Sequence, residues 1–199
     1  MSFAVLTALL GFAFVATVTP GPNNLMLMAS GANFGFRRTL PHMLGIAGGL
    51  SVMALLVGAG LMALFEAIPA LNVVLKILSV GYLLWLAAKI AMAAPLEEQD
   101  ADSRPMTFLQ AAAFQWVNPK AWAMCLTAVT LFAPDRSLLS IVIVAGTFAL
   151  VCIPAISVWA WLGTVVRQWL SNPLRLRVFN VTMATLLVAS LYPVLGLGG

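Results

Sequence analysis

Only sixteen of the 199 residues carry a formal charge, ten Lys or Arg and six Asp or Glu. A charged side chain inside an apolar stretch therefore stands out, and Lys120 is one. It closes the run Phe114-Gln115-Trp116-Val117-Asn118-Pro119-Lys120, and no acid lies in an apolar core to pair with it, Glu66 and Asp135 being at the ends of such stretches. Holding Lys at the centre of a bilayer costs about 2.5–3.5 kcal/mol on insertion scales. Either the ammonium snorkels to an interface, or it faces a wet cavity, where it binds an anionic group such as a carboxylate or changes protonation during a cycle. A second constellation is Thr19-Pro20-Gly21-Pro22-Asn23-Asn24. Proline removes a backbone donor and clashes with the preceding turn, so this motif should unwind a helix or bend it sharply. Asn23 and Asn24 then place amides where backbone groups are freed. Gln115, just before the second motif, reads equally as a cavity residue or as an interhelical hydrogen-bonding group.

Other chemistries are poorly supplied. An intramembrane hydrolase needs a nucleophile and base, or a metal with several His and acidic ligands. This chain has one histidine, His42, no acid in an apolar core, and neither HExxH nor GxSxG. The expectation is no enzyme activity, no catalytic residue, no cofactor and no metal. Cys125 and Cys152 lie in apolar stretches and read as small buried hydrophobes. Basic residues are scattered, never more than two adjacent, so nucleic acid is not expected as a partner. His42, beside Arg37 and Arg38, is a candidate for pH sensing or proton relay, against an interfacial polar residue. A passive channel is harder to set aside, although rings of like charge or an extended filter loop are not evident.

The elements that hold these residues follow from composition. At 62% hydrophobic, 8% charged and a mean hydropathy of +1.04, the chain reads as an integral membrane protein with the lipid bilayer as its solvent. Spans of about twenty apolar residues fall near 3–24, 40–64, 69–93, 107–132, 138–165 and 177–197. Long apolar runs without dyad alternation make these helices rather than barrel strands. The connectors include 31–39, and a polar linker, 95–106, holds Glu97, Glu98, Asp100, Asp102 and Arg104. It divides the chain into 1–94 and 107–199, three spans each. Arg37, Arg38, Lys89, Arg104, Arg167, Arg175 and Arg177 fall on one side of a six-span arrangement, with Arg136 and Lys76 opposite. The positive-inside rule makes the first side cytoplasmic and puts both termini outside. A five-span arrangement is the main competitor.

Each half carries one helix break, at Thr19 to Asn24 and at Asn118 to Lys120. Pro20 and Pro119 lie 99 positions apart, and an offset of three spans makes the two broken helices antiparallel. Matching breaks in halves of opposite topology are the pattern of secondary transporters built from inverted repeats, with the substrate site where the breaks meet. The expected fold is all-α: six transmembrane helices in two inverted three-helix repeats, helices 1 and 4 broken. The candidate substrate-binding residues are Pro20, Gly21, Pro22, Asn23, Asn24, Gln115, Asn118, Pro119 and Lys120. Gly45, Gly48 and Gly49 make a small-residue stripe suited to close helix packing against a broken helix. Six helices make a thin bundle, compatible with a homodimer, but no sequence feature fixes the oligomer.

These motifs resemble the LysE/RhtB family of amino-acid exporters. The likeness runs through Thr19-Pro20-Gly21-Pro22-Asn23-Asn24, Gly35-Phe36-Arg37, Leu44-Gly45-Ile46-Ala47-Gly48-Gly49, Leu75-Lys76-Ile77-Leu78, Gly81-Tyr82-Leu83-Leu84-Trp85-Leu86 and Phe114 to Lys120. The Pro-Gly-Pro-Asn-Asn start and the pattern Tyr-x-x-Trp-Leu-Ala-x-Lys-Ile, Tyr82 to Ile90, look most like the cysteine/O-acetylserine exporter branch. The resemblance implies export of amino acids or small derivatives across a bacterial inner membrane, driven by the membrane potential or by proton coupling. It implies no enzyme activity and no cofactor. For proton coupling the candidates are Lys120, His42 and the substrate's own amino group.

Overall fold

The computed structural model describes residues 1–93 and 104–192, apart from the side chain of Ser171. Most of the linker expected at 95–106, with its four acids, lies outside the described residues. Among those described there is no strand. The helices are α1 (Phe3–Val18), α2 (Pro22–Phe34), α3 (Phe36–Gly58), α4 (Leu61–Ala67), α5 (Ala70–Ala91), α6 (Phe108–Phe114), α7 (Pro119–Phe132), α8 (Leu138–Arg167) and α9 (Pro173–Ala189). Tight 3-10 turns at Gln115–Val117 and Gln168–Ser171 follow α6 and α8.

Local chemistry sets many of the helix ends. Ser2 and Ser137 accept from the first turns of α1 and α8, and Thr107 with Gln110 forms a reciprocal capping box on α6, which satisfies donors that have no partner within the helix. Asn118 and Asn172 cap α7 and α9, each followed by proline at the first helical position, where its missing N–H costs nothing. Gly35 alone separates α2 from α3, at φ +83, a conformation that side chains with a Cβ rarely adopt. The connector expected at 31–39 thus shrinks to one residue: α2 continues through Phe34, and Arg37 and Arg38 sit in the first turn of α3.

Phe36–Gly58, Ala70–Ala91 and Leu138–Leu170 are long and apolar enough to cross a membrane. Helices α1 and α2 meet at 58° and make a fourth crossing if the bent pair is one span. The remaining two expected spans fall short of a continuous crossing length among the described residues. One is divided among α6, the 3-10 turn and α7, and the other is the 17-residue α9.

Two large hydrophobic clusters, with a small third around Ala32, Leu170 and Leu176, hold the bundle among the described residues. The larger joins α1, α3, α7 and α8 around Leu9, Leu50, Cys125 and Phe148, and the second joins α2, α5, α6 and α9 around Leu25, Leu83, Phe114 and Leu187. Where α2 crosses α8 the backbones touch. A Cβ on Gly31 would overlap the carbonyl of Ala160, and one on Gly163 the carbonyl of Met28. The stripe on α3 faces α6. A Cβ on Gly45 would overlap the carbonyl of Phe108, and one on Gly49 would stand 2.8 Å from Ala112 Cα and Gln115 Cγ. Gly48 is roomier, 3.2 Å from the Phe108 ring.

Candidate functional site

The break between α1 and α2 is a problem of unpaired carbonyls with a specific solution. In a continuous helix Ala16 and Val18 would accept from residues 20 and 22, which are prolines without an N–H. Side chains supply the missing donors. The Thr19 hydroxyl donates to Ala16 O at 3.1 Å and Trp159 Nε1 to Val18 O at 2.8 Å. Asn24 Nδ2 donates to both Thr17 O and Thr19 O at 2.7 Å. Thr19 and Gly21 are extended, and α2 restarts at Pro22. No side chain caps its first turn, and the N–H groups of Asn23 and Asn24, in that turn, have no acceptor within the helix.

The second break is built more tightly. After the 3-10 turn, Asn118 turns extended and its Oδ1 accepts from the Lys120 N–H at 3.1 Å, while Asn118 O accepts from Ala121 and Trp122. Trp122 Nε1 reaches Trp116 O at 2.9 Å across the break. The first turn of α7 thus has its donors in use.

Two contacts join the breaks. Asn23 and Gln115 exchange amide hydrogen bonds, Asn23 Nδ2 to Gln115 Oε1 at 2.9 Å and Gln115 Nε2 to Asn23 Oδ1 at 3.1 Å, and Gln115 also donates to Ala111 O. Lys120 leaves α7 and crosses to the carbonyl end of α1. Its Nζ donates to Thr19 O at 2.6 Å, Thr19 Oγ1 at 2.9 Å and Pro20 O at 3.2 Å. An ammonium has three donors, so all three are in use. The carbonyl end of a helix is its negative pole, which suits a cation. The Lys120 stem lies over Gly21, where a Cβ would stand 2.7 Å from Lys120 Cδ.

A cavity of about 10 Å³, room for one water molecule, lies beside this junction. Gly21, Asn23, Asn24 and Lys120 line it, against an apolar wall that includes Leu50, Met124, Cys152 and Ile156. Asn24 is 2% exposed and its Oδ1 has no hydrogen-bond partner among the described residues. Of the other candidates, Gln115 is buried in its amide pair, Pro22 and Pro119 open the two half-helices, Pro20 offers its carbonyl, and Asn118 caps α7. Gly45, Gly48 and Gly49 stand away from the cavity against α6. Among the described residues no group of three or more His, Cys, Asp or Glu could hold a metal.

A profile of the LysE type translocators matches residues 14–190, a stretch that contains both breaks. The chain belongs to the LysE type translocator family. It is a multi-pass membrane transporter, not an enzyme. Among curated relatives, proteins named cysteine/O-acetylserine efflux protein from Escherichia coli K12 and Shigella sonnei Ss046 are each 30% identical over 196 residues, spanning 94% of this chain and 96% of the relative. One of the same name from Escherichia coli O139:H28 is 29% identical over the same span. No solved structure matches.

Sequence reasoning put Thr19 in the motif of the translocator's first break but not among the binding candidates, and it missed Trp159 as a part of that break. The Thr19 signal was in the motif, since a hydroxyl before proline is placed to replace the lost donor. Trp159 is 141 residues from its partner and carried no local signal. Gly31 and Gly163 were also missed, because each is small only with respect to the other helix.

Proposed function

We propose that the chain exports small neutral amino acids or derivatives, of the cysteine and O-acetylserine type, from the bacterial cytoplasm across the inner membrane by alternating access. The observation that carries this reading is the reach of Lys120 from one helix break to the other, 101 residues apart in sequence, beside a cavity lined by the first turn of α2. Uncapped N–H groups at a helix N-terminus attract a carboxylate, and Asn side chains orient an amino group. The apolar wall suits a small neutral side chain. A cavity with room for one water must widen to admit an amino acid, as a rocking carrier does and a permanently open pore does not.

In this reading α6, its 3-10 turn and α7 form one broken span antiparallel to the α1–α2 span, α9 completes six, and two inverted repeats move about the site. The termini face the periplasm, protons or the membrane potential drive export, and a second copy of the chain can pair with the thin bundle. The names of the curated relatives supply the substrate type.

The test is efflux of a labelled amino-acid panel, including cysteine and O-acetylserine, from cells expressing wild type, Asn23→Ala or Lys120→Met. Wild type is expected to lower the retained label of at least one small neutral compound, and Lys120→Met to abolish that effect with normal membrane insertion. Collapse of uphill transport by an uncoupler in sealed vesicles separates a carrier from a channel. Normal export by Lys120→Met, or no efflux of any panel member, overturns the reading.

A further inference from the structure

The oxygens that hold Lys120 have the geometry of a binding site for a primary ammonium. Thr19 O, Thr19 Oγ1 and Pro20 O converge on one nitrogen at 2.6, 2.9 and 3.2 Å, the tripod that three N–H donors require. They sit at the negative end of α1, made available because Pro20 and Pro22 cannot continue the helix. Beside them, Asn24 is almost fully buried, lines the cavity and carries an acceptor, Oδ1, with no partner among the described residues. A fourth acceptor with nothing to accept from points to a ligand with donors to spare. Lys120 fills the tripod from the far break and lies over Gly21, in the space an amino acid would need.

We propose that Thr19 and Pro20 form the ammonium subsite of the translocation pathway and that Lys120 is a tethered occupant, displaced by the amino group of each substrate molecule. This deepens the export reading and rests on it for the word substrate, but the subsite itself does not. The exchange is one ammonium for another, so the tripod is never left without a cation. With all three donors committed to the tripod, Lys120 has none for a carboxylate until it is displaced. It then gains an anionic partner from the same zwitterion. An amine without a carboxylate leaves the displaced Lys120 without an anionic partner, and a carboxylate without an amine cannot take the tripod.

The experiment removes the tether and supplies a free one. Purified wild type, Lys120→Ala and Lys120→Gln are titrated with n-propylammonium, tetramethylammonium and propionate at constant ionic strength while thermal unfolding is followed. n-Propylammonium is expected to raise the melting temperature of both variants saturably and to leave wild type unchanged. Tetramethylammonium has no N–H and is expected to do nothing. Adding Thr19→Val to Lys120→Gln removes one oxygen and is expected to weaken the response about tenfold, the scale of a hydrogen bond to a charged group, whereas Thr19→Ser keeps it. Equal responses of wild type and variants, or stabilisation by propionate in place of the amine, overturn the proposal. If neither variant survives purification, n-propylammonium present during extraction is expected to recover folded protein, and failure to do so counts against the subsite. Amine binding without efflux of any amino acid would leave the subsite standing and remove the export reading. Efflux without amine binding would do the reverse.

Discussion

Asn24 does with one side chain what two lost helical donors would have done. Its amide nitrogen serves Thr17 O and Thr19 O together, and its burial leaves no water to take over. A buried carbonyl without a donor costs about 1–3 kcal/mol, so Asn24→Leu, similar in size but without hydrogen bonds, is expected to lower the melting temperature of the purified protein. Asn23→Ala leaves those carbonyls served and should cost less. Equal stability of Asn24→Leu and wild type would show that the break does not depend on this amide. Asn23 and Asn24 were both legible as polar groups at a break. Their different tasks were not, since one serves carbonyls a turn behind it and the other a side chain 92 residues away. Gln115, open between cavity and interhelical bond from sequence, is the latter by geometry.

At the scale of elements, the breaks were legible because they are local: proline either has an N–H to give or it does not. In each half proline ends as the opening residue of a new helix, Pro22 for α2 and Pro119 for α7. Pro41 and Pro154, by contrast, lie inside α3 and α8 without ending them. What decides is company: Gly21 and Asn118 adopt extended backbone before the proline and supply a cap or a turn. The crossing of α2 and α8 was not legible, because Gly31 reads as loop punctuation until a second helix lies against it. Here Gly146 is a useful contrast within α8, since a Cβ there meets nothing within 4 Å. Gly163→Ala is expected to reduce the amount of folded protein in the membrane severalfold, as backbones forced apart lose packing along the whole contact. Gly146→Ala, which adds a good helix former in open space, should leave it unchanged or higher. Comparable yields for both would mean that α2 and α8 do not need their close approach.

For the whole molecule, charge counts and hydropathy identified a membrane protein, but the number of crossings depends on how the broken elements are counted. Length and composition credit α3, α5, α8 and the bent α1–α2 pair. The α6–α7 segment escapes because its two halves are short and separated by a tight turn. Reporter fusions decide the arrangement. With six crossings, a periplasm-active phosphatase is expected to be active when joined after Ser190 or inserted at Asp135, and inactive at Arg104. Activity at Arg104 with none at Asp135 would invert the orientation. Disagreement between Ser190 and Asp135 would reduce the crossing number to five.

The reciprocal amide pair between Asn23 and Gln115 bears on how such a bundle could move at all. An amide is donor and acceptor in equal measure, so each partner, once parted, can make the same bonds with water that enters as the bundle opens. A made bond is therefore worth only about 0.5–1.5 kcal/mol net, while its two-point geometry fixes alignment closely. In the proposed rocking motion this joint would work like a magnetic clasp, dictating how the pieces meet and releasing at an energy near that of thermal agitation. A salt bridge at the same place would have held harder and let go slowly.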